Sequence, residues 1–226
     1  MSALYNAASR RGGHKPPNIG FASNVIPEAN GLPRGVSVEY VQDATKKWYV
    51  LRASYARSKK AISYLMKREI DYYYPMHQVM KMVNGRRRKV TEPLLPNFIF
   101  VYVQEETVKE LVGDFNPEGI LSYYYNHFIA DSFGKNPPLT ISVTSMNNFI
   151  RATSVIDKDI RVVTAGQCSF KSGDRVRITD GSFKGVEGRV ARAGRQQRVI
   201  VELEGLCLVA TAYIPTAFLC PIPSST

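Results

Sequence analysis

The sequence holds few of the residues on which disulfides, metal sites and membrane spans depend. Its 226 residues include three cysteines and three histidines. Cys168, Cys207 and Cys220 are odd in number and show no CxxC spacing, so we expect neither a disulfide framework nor a zinc site. This cysteine usage predicts a reducing, cytoplasmic location. Residues 1–30 have no continuous apolar segment of the kind that a secretory signal needs, and no apolar run is long enough to cross a membrane.

The clusters that catalysis on nucleic acids usually requires are also missing from the sequence. His14, His77 and His127 are scattered along the chain, and Asp71 and Glu92 have no evident carboxylate partner. No Walker motif and no metal-ligand spacing is present. We therefore expect a protein that is not an enzyme and that holds no cofactor and no metal.

Acidic residues are scarce relative to basic ones. The chain has 30 Lys and Arg residues against 19 Asp and Glu residues, a formal net charge of +11, and its pI is about 9.6. Such a charge most often indicates a polyanionic partner such as nucleic acid, although membrane surfaces and simple solubility are alternatives. The length allows one large domain or two small ones. Residues 1–44 show no hydrophobic period and are predicted to be a disordered extension, with a nucleic-acid-binding arm as the alternative.

The segment Glu92–Val103 organises the first predicted domain. Phe98–Val103 is β-branched and aromatic throughout, which predicts a buried strand, and Pro93 and Pro96 set its start near Asn97. Alternation places two sets of side chains on opposite faces: Phe98, Phe100 and Tyr102 on one, and Ile99, Val101 and Val103 on the other. We expect one face to pack on the helices of the domain, and the aromatic face either to pack against a second layer or to bind a partner.

Strands and helices surround this segment on both sides in the sequence. A strand at Lys47–Arg52 precedes a helix that is expected to be capped by Ser54 or Ser58 and to end near Glu69. The predicted core-facing stripe of this helix is Ala61, Ile62, Leu65 and Met66. The later elements are a helix at Glu105–Val112, a strand at Ile120–Tyr125, and a last helix capped by Ser142 or Thr144 that ends near Thr153. The pattern predicts an α+β domain over residues 45–153, with an antiparallel sheet flanked by helices.

Two groups of cations stand out in this domain. Asn84-Gly85 favours a two-residue hairpin turn, and Arg86, Arg87, Arg88 and Lys89 follow it at the predicted tip, where they need solvent, phosphate or an acidic protein surface. On the preceding helix a second basic face could follow a phosphate backbone; it consists of Arg57, Lys60, Tyr64 and Arg68. A solvated surface is the alternative for both groups.

The end of the chain changes character after a polar segment. Residues 154–169 are typical of a linker, with a brief extended piece at Ile160–Val163. From Phe170 short strands recur at turn spacing, which predicts a small β-barrel over residues 170–223. The predicted strands are Arg175–Ile178, Gly185–Ala193, Arg198–Glu202 and Cys207–Tyr213.

The stretch Gly173–Val190 resembles the KOW motif of NusG-type transcription factors and of some ribosomal proteins. The motif positions are Gly173, Asp174, Val176, Gly181, Gly185 and Gly188. We expect Val176, Ile178 and Val190 to fill the barrel. The glycines at 181, 185 and 188 are expected to permit tight turns and close strand approach.

The preceding domain carries a second resemblance. Trp48–Arg52, the Asn84-Gly85 hairpin and Glu92–Val101 are similar to the N-terminal domain of NusG and of its paralogue RfaH. The segment Trp48–Tyr55, together with Asn147–Ile150 and Ala210–Tyr213, is more similar still to the UpxY antiterminators of capsular polysaccharide operons. The likeness spans about Lys47 to Pro221.

This resemblance implies a non-catalytic transcription elongation and antitermination factor. Proteins of this kind dock an apolar surface onto the clamp helices of RNA polymerase and suppress pausing and premature termination, here in a polysaccharide biosynthesis operon. The docking candidates carried over by position are Tyr73, Pro75, Leu95, Phe98 and Phe100. Core packing is the alternative for Phe98 and Phe100.

The resemblance also implies contacts with nucleic acid. Arg57, Lys59 and Lys60 lie where the paralogues face upstream or non-template DNA, and together with Arg86–Lys89 they are candidates for phosphate contacts. Nascent RNA and a companion inhibitor protein are further expected partners, and we expect a monomer. In RfaH the C-terminal domain can fold as a helical hairpin over the docking surface; here local propensity favours the barrel, so we predict no fold switch.

The alternative function is a ribosome- or RNA-associated KOW protein, which is expected to concentrate positive charge on the barrel. The barrel region instead mixes acids with its bases. Those acids are Asp174, Asp180, Glu187, Glu202 and Glu204. Their presence argues against the alternative.

Overall fold

The structure is a computed structural model that describes residues 42–54, 57–113, 116, 119–130, 132–155, 159–193 and 195–223. The predicted extension therefore lies outside the described residues except for its last three positions. Helices within this range are α1 (Ser58–Lys67), α2 (Glu105–Val112) and α3 (Val143–Thr153). The first seven strands are β1 (Lys47–Ala53), β2 (Tyr72–Tyr73), β3 (Met76–Val83), β4 (Arg86–Pro93), β5 (Phe98–Val103), β6 (Leu121–Tyr123) and β7 (Thr140–Ile141). They are followed by β8 (Arg161–Val163), β9 (Ser169–Ile178), β10 (Glu187–Ala193), β11 (Gln196–Leu203), β12 (Cys207–Ala210) and β13 (Leu219–Pro221).

Strand β1 lies at the centre of the first sheet, whose order is β2, β5, β1 and β6, with β7 also paired to β1. All of its pairings are antiparallel. The register with β5 runs from Lys47 opposite Val103 to Arg52 opposite Phe98. The predicted α+β class, with an antiparallel sheet flanked by helices, is confirmed for this part of the chain.

The two faces of β5 pack on different layers, as the alternation predicts. Ile99, Val101 and Val103 lie in one hydrophobic cluster with residues of α1 and α2. Phe100 and Tyr102 lie in another cluster that includes residues of α3. The first sheet therefore has helices on both faces, and its aromatic face packs against a second layer.

The helices follow their sequence signals with two exceptions, both on α1. The N-cap position of α1 is Arg57, so the predicted cap by Ser54 or Ser58 is wrong. On α1, Ala61, Ile62 and Leu65 are buried, but Met66 is 49% exposed, so its predicted place in the core is wrong. The predicted stripe of four residues on α1 is wider than the part of the helix surface that the sheet covers. At α3, the Ser142 side chain accepts a hydrogen bond from the Ser145 N–H at 3.1 Å, which is the predicted cap.

The Asn84-Gly85 turn closes a separate two-stranded sheet. Asn84 has φ of 50° and Gly85 has φ of 72°, as a two-residue turn with positive φ at both positions requires. Strands β3 and β4 pair from Val83 opposite Arg86 to Met76 opposite Pro93. The predicted hairpin is confirmed.

The second sheet has six strands in the order β13, β9, β10, β11, β12 and β8. The predicted strands are present. The two edge strands differ from the prediction. Strand β13 has no predicted counterpart, and β8 lies in the segment that was predicted to be a linker. Among the described strands, β8 pairs with β12 and β13 pairs with β9. The edges do not pair with each other, so the predicted closed barrel is not shown.

Helix α3 lies between the two sheets and belongs to one core with both. That core contains Phe100 of β5, Phe149 and Ile150 of α3, and Val199 and Val201 of β11. The side chain of Asn148 accepts a hydrogen bond from the Glu187 N–H at 2.7 Å and donates one to the Glu187 carbonyl. These contacts attach the second sheet to the helix.

Gly188 is placed where no other residue fits. A Cβ built at this position would lie 2.3 Å from the carbonyl oxygen of Ile200 and 2.8 Å from a methyl carbon of Val199. Backbone on the neighbouring strand cannot turn away as a flexible side chain can. The close approach of β10 and β11 therefore depends on glycine here.

We expect Gly188→Ala to lower the free energy of unfolding by about 1–3 kcal/mol, because it overpacks this strand pair. Gly166→Ala is the control, since a Cβ at Gly166 meets nothing within 4 Å, and its effect should stay within about 0.5 kcal/mol. Urea denaturation followed by circular dichroism measures both. Equal stabilities of the two variants would contradict the close approach.

Candidate functional site

The aromatic face of β5 forms the densest ring cluster of the described structure. Phe100 lies 5.4 Å from Phe149 between ring centroids, and Tyr73 meets Phe149 edge-on at 6.0 Å. Tyr73 and Phe100 are 6.5 Å apart. Such ring pairs contribute about 0.5–1.5 kcal/mol each beyond the burial of their area. The cluster therefore fixes α3 against the sheet.

Tyr73 also makes the polar contact of this cluster. Its hydroxyl lies 2.6 Å from Oγ1 of Thr153, and either oxygen could donate. Complete burial raises the pKa of the Tyr73 hydroxyl to about 12, although hydrogen bonds with Thr153 and Ser154 act in the opposite direction. The phenol is therefore neutral at physiological pH, and the end of α3 is tied to β2.

The predicted docking residues lie together, but mostly in the interior. Tyr73 and Phe100 are 1% and 0% exposed, and Leu95 and Pro75 are also buried. Phe98 is the half-buried member at the rim, where its ring meets Tyr124 edge-on at 5.1 Å. In this arrangement only the rim of the predicted surface is open to a partner, so the docking role of these residues stays a prediction.

The α1 cations follow the residues of a surface cleft along the chain. Arg57, Lys59 and Lys60 are exposed at the start of the helix. Just before them in the chain, a cleft of about 360 Å³ is lined by Arg52, Ala53, Ser54, Asn97 and Ser122. Its walls are tied by hydrogen bonds, from the Ala53 N–H to the Asn97 carbonyl at 2.7 Å and from the Ser54 hydroxyl to the Gly119 carbonyl at 2.8 Å. Cations and hydrogen-bonding groups are thus adjacent.

The hairpin cations are divided between two faces. Opposite residues of an antiparallel pair share a face, so Arg87 and Lys89 lie with Met82 and Met80, their register partners. Arg86 and Arg88 lie on the other face with Val83 and Lys81. All four predicted cations are exposed. Lys81 forms an ion pair with Glu92, which leaves the tip strongly positive.

A buried arginine fixes the segment that enters the second sheet. Arg198 is 4% exposed and donates to the Asp159 carbonyl at 3.0 Å, to the Thr211 carbonyl at 2.7 Å and to Asp159 Oδ2 at 2.8 Å. Partial burial raises the pKa of Asp159, but hydrogen bonds from Arg198 and Arg161 outweigh it, so the pKa lies below its usual range. Asp159 therefore stabilises the fold as an anion.

Because the pKa of Asp159 is lower in the folded protein, its stabilisation is present above the unfolded value of about 3.9 and is lost as pH falls through the folded value. We expect Asp159→Asn to reduce stability at pH 7 by about 1 kcal/mol, since the carboxylate is half exposed. The difference from wild type should shrink below about pH 4.

Glu204→Gln is the matched control for this prediction, because it removes one exposed carboxylate from the turn between β11 and β12. Thermal melts at pH 7 and at acidic pH compare the variants with wild type. A loss for Asp159→Asn that does not change with pH would show that the ion pair is not its cause.

The glycines of the KOW-like stretch have geometry that suits the predicted turns. Gly181 and Gly185 have φ of 79° and 84°, and a Cβ at Gly185 would lie 3.3 Å from the Arg151 side chain. Arg151 of α3 donates to the Gly185 carbonyl at 2.7 Å. Gly173 and Asp174 lie within β9, while Val176 is buried. The turn before β10 is thus held against α3.

One exposed apolar group was missed by the sequence analysis. Phe128, Ile129 and Phe133 lie in the connection between β6 and β7, and are 82%, 58% and 86% exposed. The signal that could have found them was their position among Asn, Gly and Pro residues, which predicts a surface loop rather than a core. Asn148, Arg151 and Arg198 were also missed, because their partners are distant in sequence.

The described residues contain no group of three or more His, Cys, Asp and Glu side chains that could hold a metal ion. Among the same residues, no helix is long and apolar enough to span a membrane.

A family model described as "Transcription termination factor nusG" matches residues 46–150. The match extends from the start of β1 into α3 and covers slightly less than half of the chain. It includes the cleft, the hairpin, the aromatic face of β5 and the exposed loop.

A solved structure described as "Domain interaction in Thermotoga maritima NusG" is similar over 79% of this chain and 98% of that chain. The sequence identity is 20% and the TM-score is 0.36.

Proposed function

We propose that residues 46–150, which the NusG family model matches, form a NusG-type domain, and that the protein is a non-catalytic transcription elongation factor that binds RNA polymerase. The family match is the observation that carries the proposal. The strongly basic chain supports it, because a factor at the transcription complex works beside DNA and RNA. Suppression of pausing and premature termination is the activity we propose.

We propose that the predicted docking residues contact the polymerase through the aromatic face of β5, which is called the β5 surface below. Phe98 is the member that a partner can reach while α3 and the second sheet stay in place. Contact with Phe100 or Tyr73 requires α3 to move, since both rings pack on Phe149. Docking at the Phe98 rim is therefore the form of the proposal that needs no rearrangement.

The nucleic-acid contacts are proposed to begin at the α1 cations and at the cleft that precedes them in the chain. Lys and Arg contacts to phosphate position a protein on DNA without reading its sequence. The cleft adds serine and asparagine groups next to Arg52, which can hydrogen-bond to an exposed base edge. The hairpin cations add charge that suits upstream or non-template DNA, with nascent RNA as a further partner.

The finer proposal follows the UpxY-like features of the sequence. It is a monomeric cytoplasmic antiterminator of a polysaccharide biosynthesis operon, countered by a companion inhibitor protein. The second sheet, with its KOW-like turn between β9 and β10, is proposed as the contact for a further component of the gene-expression machinery. The match of residues 46–150 supports only the transcription part of this proposal.

The test of function is single-round transcription by purified RNA polymerase on a template with a pause site and a terminator. We expect the wild-type protein to shorten the pause and to raise readthrough, and Phe98→Ala to weaken both effects. Phe100→Ala is not a useful probe, since removing a buried ring costs about 3–5 kcal/mol of stability. Circular dichroism checks that Phe98→Ala folds.

Two outcomes of this assay would count against the proposal. Unchanged transcription by wild-type protein, combined with no binding to the polymerase, would reject the elongation-factor function. Full activity of a folded Phe98→Ala protein would leave the function standing and remove Phe98 from the docking surface.

The nucleic-acid contact gives a separate prediction about salt. Changing Arg57, Lys59 and Lys60 together to Gln should weaken binding to duplex and single-stranded DNA, and should reduce the salt slope by about 0.7–0.9 for each phosphate that is no longer neutralised. The matched control changes Arg175, Arg189 and Arg192 to Gln, which removes the same charge from the second sheet. Fluorescence anisotropy from 50 to 200 mM salt, roughly the range over which such contacts respond, measures both; equal slopes would assign the effect to net charge alone.

A further inference from the structure

We propose that the loop between β6 and β7 is a second contact for RNA polymerase, in which Phe128 and Phe133 enter an apolar, uncharged pocket of the enzyme. The aromatic loop is defined as residues 126–130 and 132–137. This inference rests on the proposed function, since it names a further surface by which the same partner is held. It differs from the β5 surface in residues and in exposure.

The exposure of its two phenylalanines supports this role for the loop. Phe128 and Phe133 are 82% and 86% exposed, the highest values among the large apolar residues that the structure describes. Ile129 beside them is 58% exposed. Adjacent exposed apolar side chains of this size on a soluble domain mark an interaction surface more often than a single exposed residue does. The rings on β5, in contrast, are mostly buried.

Hydrogen bonds hold the backbone of the loop in place. The Asn136 side chain donates to the Asn126 carbonyl at 2.7 Å and to the Ile129 carbonyl at 3.0 Å. The Phe128 N–H donates to the Asn126 side chain at 2.9 Å. At the neck, the Asn126 N–H donates to the Pro137 carbonyl at 2.8 Å. Fixing a loop before binding lowers the entropic cost of the complex, so the rings are presented as anchors.

The position of the loop beside the rim of β5 also supports this contact. The ring of Phe98 on the β5 rim contacts Tyr124 at 5.1 Å, and Tyr124 contacts His127 of the loop at 5.3 Å. A chain of ring contacts therefore connects the accessible rim of the proposed docking surface to the aromatic loop. A partner that binds at Phe98 lies next to the loop.

The low charge of the loop favours a protein partner over nucleic acid. Lys135 is the one charged residue among the described positions of the loop. The cations that suit nucleic acid are concentrated on α1 and on the hairpin instead. Stacking platforms for single-stranded nucleic acid combine aromatic rings with a basic groove, and this loop has rings without the groove. Buried aromatic anchors are typical of protein interfaces.

The experiment measures the affinity of the full chain for purified core RNA polymerase by biolayer interferometry. The test variant is Phe128→Ser with Phe133→Ser. We expect at least a tenfold loss of affinity, as for anchor residues at an interface. The control is Val162→Ser with Tyr213→Ser, which removes an apolar side chain of β8 and one of the connection after β12 that are 41% and 55% exposed. The control should bind as wild type does.

A third variant separates the rings from their support. Asn136→Ala keeps both phenylalanines and removes the two hydrogen bonds that the Asn136 side chain donates to the loop backbone. We expect a smaller loss than for the double variant, since the anchors remain but must be ordered on binding. Melting curves of every variant should match wild type, because none of the substituted side chains lies in the core.

The outcomes separate this inference from the proposed function. If wild type binds the polymerase and the double serine variant binds equally well, the loop contact is overturned and the proposed function still stands. Absence of wild-type binding overturns both. A double variant that keeps its polymerase affinity but loses self-association in sedimentation, or loses binding to a single-stranded oligonucleotide, assigns the loop to that other occupant and overturns the inference.

Discussion

The packing of α3 on the aromatic face of β5 is the contact on which the rest of the structure depends. Phe149 meets both Phe100 and Tyr73, so the helix and the first sheet share one set of rings. The second sheet reaches that core through the same helix, with Val199 and Val201 in the common cluster. Loosening α3 would therefore disturb two sheets at once. In the proposed function, it would also decide how much of the β5 surface a partner can reach.

The exposed phenylalanines lie apart from the cations with predicted roles, although exposed methionines, Met80 and Met82, share the hairpin with its cations. The cations with predicted roles lie on α1 and on the hairpin, whereas the exposed phenylalanines lie in the loop between β6 and β7. Salt weakens contacts of the first kind but has little effect on burial of the second. A factor with both kinds of contact can exchange phosphate contacts as DNA moves while its apolar contact with a protein stays in place.

Local signals in the sequence were sufficient where structure depends on neighbours along the chain. The alternation of β5, the Asn84-Gly85 turn and the cap of α3 by Ser142 are all observed as predicted. Prediction failed where partners are distant: β8 pairs Arg161 with Ala210, a choice invisible in a polar segment. Burial of Phe100 could not be decided either, because alternation assigns a face but not what covers it. Met66 failed for the same reason, since the width of a buried stripe depends on the opposing layer.

Asn148 holds the second sheet by hydrogen-bonding to both backbone groups of residue 187. A side-chain amide that pairs with a peptide group in this way imitates one rung of a β-ladder and ignores the side chain of its partner. Sequence drift at position 187 is therefore compatible with the same interface, whereas position 148 is restricted to a group that both donates and accepts. Related chains should keep an amide on the helix while the strand that it contacts diverges. This part of the attachment therefore depends on the backbone of the second sheet and on one side chain of α3.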